Sequence, residues 1–398
     1  MSDRTYYIDL QLAKLPPEKQ AVLKAQADAV DYDLFKALNA PNVAAQKGEI
    51  SPIGAVDVNE IAAREAEFRA CGLDAIRAGK VGAVLLAGGQ GTRLGSSRPK
   101  GTVDIGLTHE VYIFECLINN LKEVTDAAGA YVPLYIMTST VNNDDTVAFF
   151  KEHNFFGYPE EYVKFFIQEM VPALDYDGHI LLKSETELVL SPNGNGGWFS
   201  SMAKAGILDD IHARGVEWLN VFAVDNVLQR IADPCFVGAT ILSGGDSGAK
   251  VVRKAEPNEK VGLLCREDGK PSIIEYYEMT EEMANMRNED GQLTYCFGVI
   301  LNYLFSEKKL EEIMNNNMPV HVVEKKIPYM DENGELHSPE KPNGYKFETL
   351  VLDMVHMMDE CLAYEVVREK EFAPIKNLHG VDSIDSAREL LEKNGVKL

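Results

Sequence analysis

Val81-Gly-Ala-Val-Leu-Leu-Ala-Gly-Gly-Gln-Gly-Thr-Arg-Leu-Gly-Ser-Ser-Arg-Pro-Lys-Gly101 is the stretch on which the fold turns. Its first seven residues are a short continuous apolar run halted by glycines, the pattern of a strand buried on both faces of a parallel sheet. The glycines that follow leave backbone N–H groups free to approach a ligand with no Cβ in the way, and phosphate is the natural ligand of such a loop. Two commoner phosphate loops fail on spacing. A dinucleotide fingerprint counted from Gly89 and Gly91 puts its third glycine on Leu94, and a Walker A loop needs Gly-Lys before Ser or Thr, whereas Lys100 lies between Pro99 and Gly101. What remains is a glycine loop carrying Arg93, Arg98 and Lys100, cations that can neutralise a triphosphate.

That local positive charge is needed because the whole chain is acidic. Its 398 residues hold 39 Lys and Arg against 62 Asp and Glu, a formal charge of −23. Such a surface repels nucleic acid and anionic membrane, so neither is an expected partner. The apolar share of 45% suits a globular chain with a large core and more than one domain. Six cysteines, with no CxxC pair, read as thiols of a reducing compartment. The charged residues of Met1-Ser-Asp-Arg and the absence of a long apolar run predict a soluble, cytoplasmic protein.

Helical spacing over 16–39 and 57–78 predicts a helical N-terminal region, 1–78. Beyond Val81, strand-like runs (132–137, 163–167, 218–224) alternate with helical ones, which predicts an α/β central domain over 79–320. Short β-like runs over 249–305, separated by turn-formers, predict an antiparallel insertion. Residues 321–398 read as a small α+β C-terminal domain that includes a strand at 363–367.

The loop, followed by Pro99-Lys-Gly, resembles the signature of the UDP-sugar pyrophosphorylases. Pro192-Asn-Gly-Asn-Gly-Gly-Trp, Phe222-Ala-Val-Asp-Asn, Gly248-Ala-Lys-Val-Val, Ile274-Glu-Tyr and Lys341-Pro-Asn-Gly resemble later blocks of that family, in order, from about residue 80 to 380. The resemblance implies a Rossmann-like, GT-A-like nucleotidyltransferase fold around a mixed sheet. It also implies a Mg²⁺-dependent reaction of UTP with a sugar-1-phosphate that yields UDP-sugar and pyrophosphate.

By the same resemblance Leu86, Ala87, Gly88, Gly89, Gln90, Gly91 and Thr92 hold the nucleotide, Arg93 grips the departing pyrophosphate and Lys100 sits on the phosphates. Asp225, at the carboxyl end of a strand where open α/β sheets place ligands, would hold Mg²⁺; the competing reading is a helix-capping aspartate. Gln168 would read uracil, its amide offering donor and acceptor, with Gly194 giving the base close access. Asn195, Gly262 and Glu275 would contact the sugar, and Lys376 would reach back to the phosphates, the C-terminal domain completing the site on closure. The Pro192 block favours N-acetylglucosamine-1-phosphate, with glucose-1-phosphate as the alternative, although Val299 stands where the family usually has asparagine. A catalytically silent nucleotide-sugar-binding regulator is the rival from another class.

Overall fold

Strand Val81–Leu86 has all six residues buried and is flanked in parallel on both sides, as its apolar run requires. The computed structural model describes residues 4–39, 47–315 and 318–398. The main path of the large sheet comprises β1 (Ala55–Val56), β2 (Val81–Leu86), β3 (Leu134–Thr138), β4 (Val163–Ile167), β5 (Trp218–Ala223), β6 (Ser247–Arg253), β7 (Phe297–Ser306) and β8 (Cys361–Glu365). Their spatial order is β1-β8-β6-β7-β5-β2-β3-β4. β7 runs antiparallel to both its neighbours, β5 and β6, and the other pairings on this path are parallel, so the sheet is mixed.

Helices cover this sheet with apolar stripes. Ile113–Ala128 buries Ile113, Leu117, Leu121, Val124 and Ala128, a helical period, and ends on Gly129 at φ 68°, the left-handed cap glycine adopts readily. Val58–Arg77 starts on Asp57, whose carboxylate accepts from the N–H groups of Asn59 and Glu60. It crosses Pro234–Ser243 so closely that a Cβ on Gly72 would lie 1.9 Å from the Pro234 carbonyl oxygen, and one on Gly238 1.8 Å from that of Phe68. One core joins Phe68, Leu85, Phe114, Phe150, Phe236 and Leu304.

The chain divides into two compact units that do not follow chain order. The smaller contains 4–39, 168–198 and 318–351; the larger contains 47–167, 199–315 and 352–398. This differs from a linear division into 1–78, 79–320 and 321–398. Helix Val58–Arg77 packs into the large core, and β8 pairs in parallel with β6, which removes both from terminal domains. The region 249–305 also differs from a separate insertion: β6 and β7 are central strands. Its hairpin, Leu263–Glu267 with Lys270–Ile274, is antiparallel and is joined to β7 through Leu263 and Gly298.

The smaller unit has its own core. Ile8, Leu15, Leu23 and Phe35 from the N-terminal helical segments pack with Leu174, Leu182, Leu188, Met330 and Phe347. Strands His321–Lys325, Gly344–Glu348 and Leu174–Asp175 form a three-stranded sheet there. Among the described residues no helix is long and apolar enough to cross a membrane.

Candidate active site

The glycine loop leaves β2 with its root fixed on both sides. Leu86 accepts at its carbonyl from Val224 N–H (3.2 Å), and Ala87 N–H donates to Met137 O (2.8 Å). These two residues therefore support the loop through backbone already committed to the sheet. The loop then folds back on itself, Gly91 N–H donating to Arg98 O (2.9 Å) and Lys100 N–H to Gly89 O (3.2 Å). Asn142, wholly buried, fastens it from below: its Nδ2 donates to Ala87 O (2.9 Å) and Gly89 O (3.3 Å) while its Oδ1 accepts from Ser139 N–H. The N–H groups of Gly88, Gly89, Gln90 and Thr92 donate to no described group. A Cβ on Gly89 would meet nothing within 4 Å, so packing does not demand glycine there. Free N–H groups and an open approach are what an anion needs. Gln90 keeps its Oε1 buried and without a partner.

Four charged residues of the larger unit stand around this loop. Burial pulls the Lys100 ammonium below its ordinary value; Asp225 opposes that, and Lys376 and Arg93 reinforce it. The electrostatic reach of Lys100 thus takes in all three. Lys100 is set by its neighbour Gly101, where a Cβ would lie 2.3 Å from the Phe114 ring. Arg93 is exposed and its guanidinium pairs with no described group. Arg98 instead lays its guanidinium over Phe149, 5.6 Å from the ring centroid.

Asp225 lies just past the carboxyl end of β5, and its carboxylate has no hydrogen-bond or ion-pair partner among the described residues. It does not cap the next helix; Asp233 does that, accepting from Cys235 N–H. Lys376 is bound to the same place by backbone: Ile375 N–H donates to Asp225 O (2.9 Å), and Asn226 pairs with Pro374 as an isolated bridge. Its own Nζ meets Asp382 Oδ2 at 3.0 Å. Lys376 therefore belongs to the same unit as the glycine loop, and its position there does not depend on closure of a separate C-terminal domain.

Gly262, Glu275 and Val299 also come together in the larger unit. A Cβ on Gly262 would lie 3.5 Å from both Glu275 Oε1 and Val299 Cγ2, and Val299 N–H donates to Gly262 O. Burial pushes the Glu275 carboxyl up, Glu278 adds to the rise and Lys47 opposes it. A partly desolvated carboxylate beside a bare backbone is suited to accept from sugar hydroxyls.

The smaller unit holds Gln168, Gly194 and Asn195 as a second group. Gln168 Nε2 donates to Gly194 O (2.7 Å) and Asn193 Oδ1 (3.3 Å), so its donor side serves the protein and Oε1 is the part left for a ligand. Gly194 has φ +86°, and a Cβ there would sit 2.2 Å from Thr349 O. Asn195 Oδ1 accepts from Val351 N–H (3.0 Å), which makes its acceptor structural.

Sequence reasoning passed over two residues that shape these groups. Asn142 lies in the polar cluster that follows β3, a turn signal with no mark of its loop contact. Asn226 lies in the quoted Phe222 block next to Asp225, and its side chain bridges to the segment that carries Lys376.

Residues 35–395 match the UDPGP family, described as UTP–glucose-1-phosphate uridylyltransferase. The chain is 41% identical over 326 residues to the UDP-N-acetylhexosamine pyrophosphorylase-like protein 1 of Homo sapiens, covering 80% of this chain and 64% of that protein. It thus spans less than two thirds of that relative's length. It is 38% identical over 342 residues to the UDP-N-acetylglucosamine pyrophosphorylase of Saccharomyces cerevisiae, covering 83% of this chain and 72% of the yeast protein. The crystal structure of the uridine diphosphate N-acetylglucosamine pyrophosphorylase from Trypanosoma brucei in complex with inhibitor superposes with a TM-score of 0.80. That match has 27% identity and covers 98% of this chain and 84% of the other.

Proposed function

Because the chain belongs to the UTP–glucose-1-phosphate uridylyltransferase family, we propose that it is a uridylyltransferase converting UTP and a sugar-1-phosphate into UDP-sugar and pyrophosphate. An oxygen of the sugar phosphate attacks the α-phosphorus of UTP; the new P–O bond forms as the bond to the bridging oxygen of the β-phosphate breaks, and pyrophosphate leaves. Alignment and charge stabilisation dominate such transfers, because little covalent work falls to side chains. The observation that carries the reading is the gathering of Arg93, Lys376 and Asp225 within electrostatic reach of Lys100, beside a loop with unused N–H groups.

In this reading the loop N–H groups receive phosphate oxygens. Arg93, with no protein partner, stabilises the departing pyrophosphate, and Lys100 and Lys376 offset charge near the α-phosphorus. Gln168 Oε1 accepts from the uracil ring N–H, and Gly262 and Glu275 face the sugar. A catalytically silent regulator has no use for unpaired cations placed for a leaving group, which disfavours that alternative.

The donor set at Asp225 fits Mg²⁺. Its carboxylate is a hard, unpaired oxygen ligand, and among the described residues it joins no cluster of three His, Cys, Asp or Glu. Mg²⁺ commonly takes one or two carboxylates and completes its shell with water and substrate phosphates, neutralising their charge.

The preferred sugar in our reading is N-acetylglucosamine-1-phosphate, supported by the Pro192-Asn-Gly-Asn-Gly-Gly block and by the names of the relatives above. Our reading assigns the reaction to the cytoplasm, a reducing compartment that suits six cysteines without disulfides. The test is pyrophosphate release from UTP and Mg²⁺ with a panel of sugar-1-phosphates. Release with the N-acetylated sugar supports the reading, a higher kcat/KM for glucose-1-phosphate reverses the sugar preference, and no release with any member refutes the activity.

A further inference from the structure

Lys250, on β6, is fully buried, an expensive place for an ammonium group unless it is well paired. Its Nζ donates to the Glu371 carboxylate, to Asp233 Oδ2 (3.1 Å) and to Arg230 O (3.2 Å). Asp233 is 2% exposed and Glu371 7%. The guanidinium of Arg230, an exposed residue, lies within electrostatic reach of both carboxylates and adds positive charge there. None of these four side chains was assigned a role in the reaction above.

What Glu371 carries is the segment leading to Lys376. Its backbone carbonyl accepts from Asn226 Nδ2 (2.8 Å), Ala373 N–H donates to Asn226 Oδ1 (2.9 Å), and Ile375 N–H donates to Asp225 O (2.9 Å). Residues 371–375 are thereby laid along 225–226, and the side chain of Glu371 ties one end of that strap into the sheet. The other anchors are rigid: Lys250 is held in β6 between β7 and β8, and Asp233 caps helix Pro234–Ser243. An apolar cluster of the same volume would hold the interior together at least as well. The charges add directionality, because a charge-assisted hydrogen bond holds the Glu371 carboxylate on the Lys250 ammonium.

We propose that the buried Lys250–Glu371–Asp233 cluster is a clamp that sets where Lys376 stands, making Glu371 a positioning residue for uridylyl transfer. This rests on the reading of Lys376 given above. Misplacing a reacting group by about 1 Å costs on the order of 100-fold in rate, which sets the scale of the effect.

The experiment compares Glu371→Gln, Glu371→Ala, Lys376→Ala and the double variant Glu371→Gln/Lys376→Ala in the 398-residue chain. Steady-state kinetics and amide hydrogen exchange are read for each. Glu371→Gln keeps the side-chain volume and removes the charge, so it carries the comparison if Glu371→Ala does not fold. Glu371→Gln is expected to lower kcat by about 10- to 100-fold with KM for UTP unchanged. It should also accelerate exchange at Ala373 and Ile375 while the β2 amides stay protected. The double variant should be no slower than Lys376→Ala alone, since a residue that acts through Lys376 has nothing left to position.

Where Lys376→Ala is slowed, multiplying effects in the double variant or parental kcat in Glu371→Gln would overturn the clamp, and unchanged exchange at Ala373 and Ile375 would overturn it in every case. A parental rate in Lys376→Ala, with exchange still accelerated in Glu371→Gln, would instead refute the role given to Lys376 and leave the clamp standing as the device that holds the strap.

Discussion

Lys100 is partly buried, and Lys376 and Arg93 add to the cost of its charge while Asp225 offsets it. Without an anion, its ammonium is under stress. Lys100→Met removes the stress together with the function: turnover should fall by on the order of 100- to 1,000-fold while the melting temperature holds or rises. A lower melting temperature with retained turnover would make Lys100 a structural residue. Arg93→Ala should lose turnover on the same scale with no change in melting, since its side chain is exposed and unpaired. Asp225→Asn weakens a hard ligand without changing its shape, so the Mg²⁺ concentration for half-maximal rate should rise; an unchanged titration would remove Asp225 from the metal's shell. The loop, its cations and Asp225 were readable because each lies at a strand end in a recognisable string. The commitments of Gln168 Nε2 and Asn195 Oδ1 were not, because their partners Gly194 and Val351 are chosen by tertiary packing and leave no local mark.

Among the elements, the crossing of Val58–Arg77 over Pro234–Ser243 tolerates no added atom. Gly238→Ala places a Cβ against the Phe68 carbonyl oxygen, and the helices must separate. Urea unfolding should show a loss of about 1–3 kcal/mol or more, with the denaturant slope unchanged. A second contact between elements gives a pH signature. His212 Nε2, on helix Ile207–Arg214, meets Glu307 Oε1 at 2.9 Å and Glu311 Oε1 at 3.1 Å on helix Glu307–Asn315. The hydrogen bond to Glu307 raises the imidazole above its ordinary 6.5, burial working against it. Its stabilisation is therefore full below pH 6.5 and is lost as pH climbs through the raised value. Melting temperature should decline over that interval, and His212→Gln should flatten the decline; an equal slope in both proteins would exclude the pair. Sequence pattern located β2, β4 and the N-terminal helices well, because buried apolar runs and helical periods are local. It did not find the role of β7 or β8, because pairing with β5 or β6 depends on residues far away in the chain.

For the molecule as a whole, the smaller unit is assembled from three separate stretches around one apolar cluster. Deleting residues 1–39 removes Ile8, Leu15, Leu23 and Phe35 from that cluster and exposes Leu174, Leu182, Leu188, Met330 and Phe347. Limited proteolysis should then cut quickly within 168–198 and 318–351 while the larger unit keeps its own unfolding transition; equal resistance in the deleted chain would show that the smaller unit does not depend on those helices. Composition announced a multidomain chain but not this interleaving, since charge and apolar content say nothing of chain order. The interleaving also bears on birth at the ribosome. β1 pairs with β8 through Ala55 and Ala363, and the smaller unit is complete only once residue 351 has emerged. Neither unit can be finished while the chain is still short, so apolar segments made first must wait, exposed, for partners made much later. Each unit stays incomplete long after its first segment is made, and a holding chaperone has most to offer this chain over that interval.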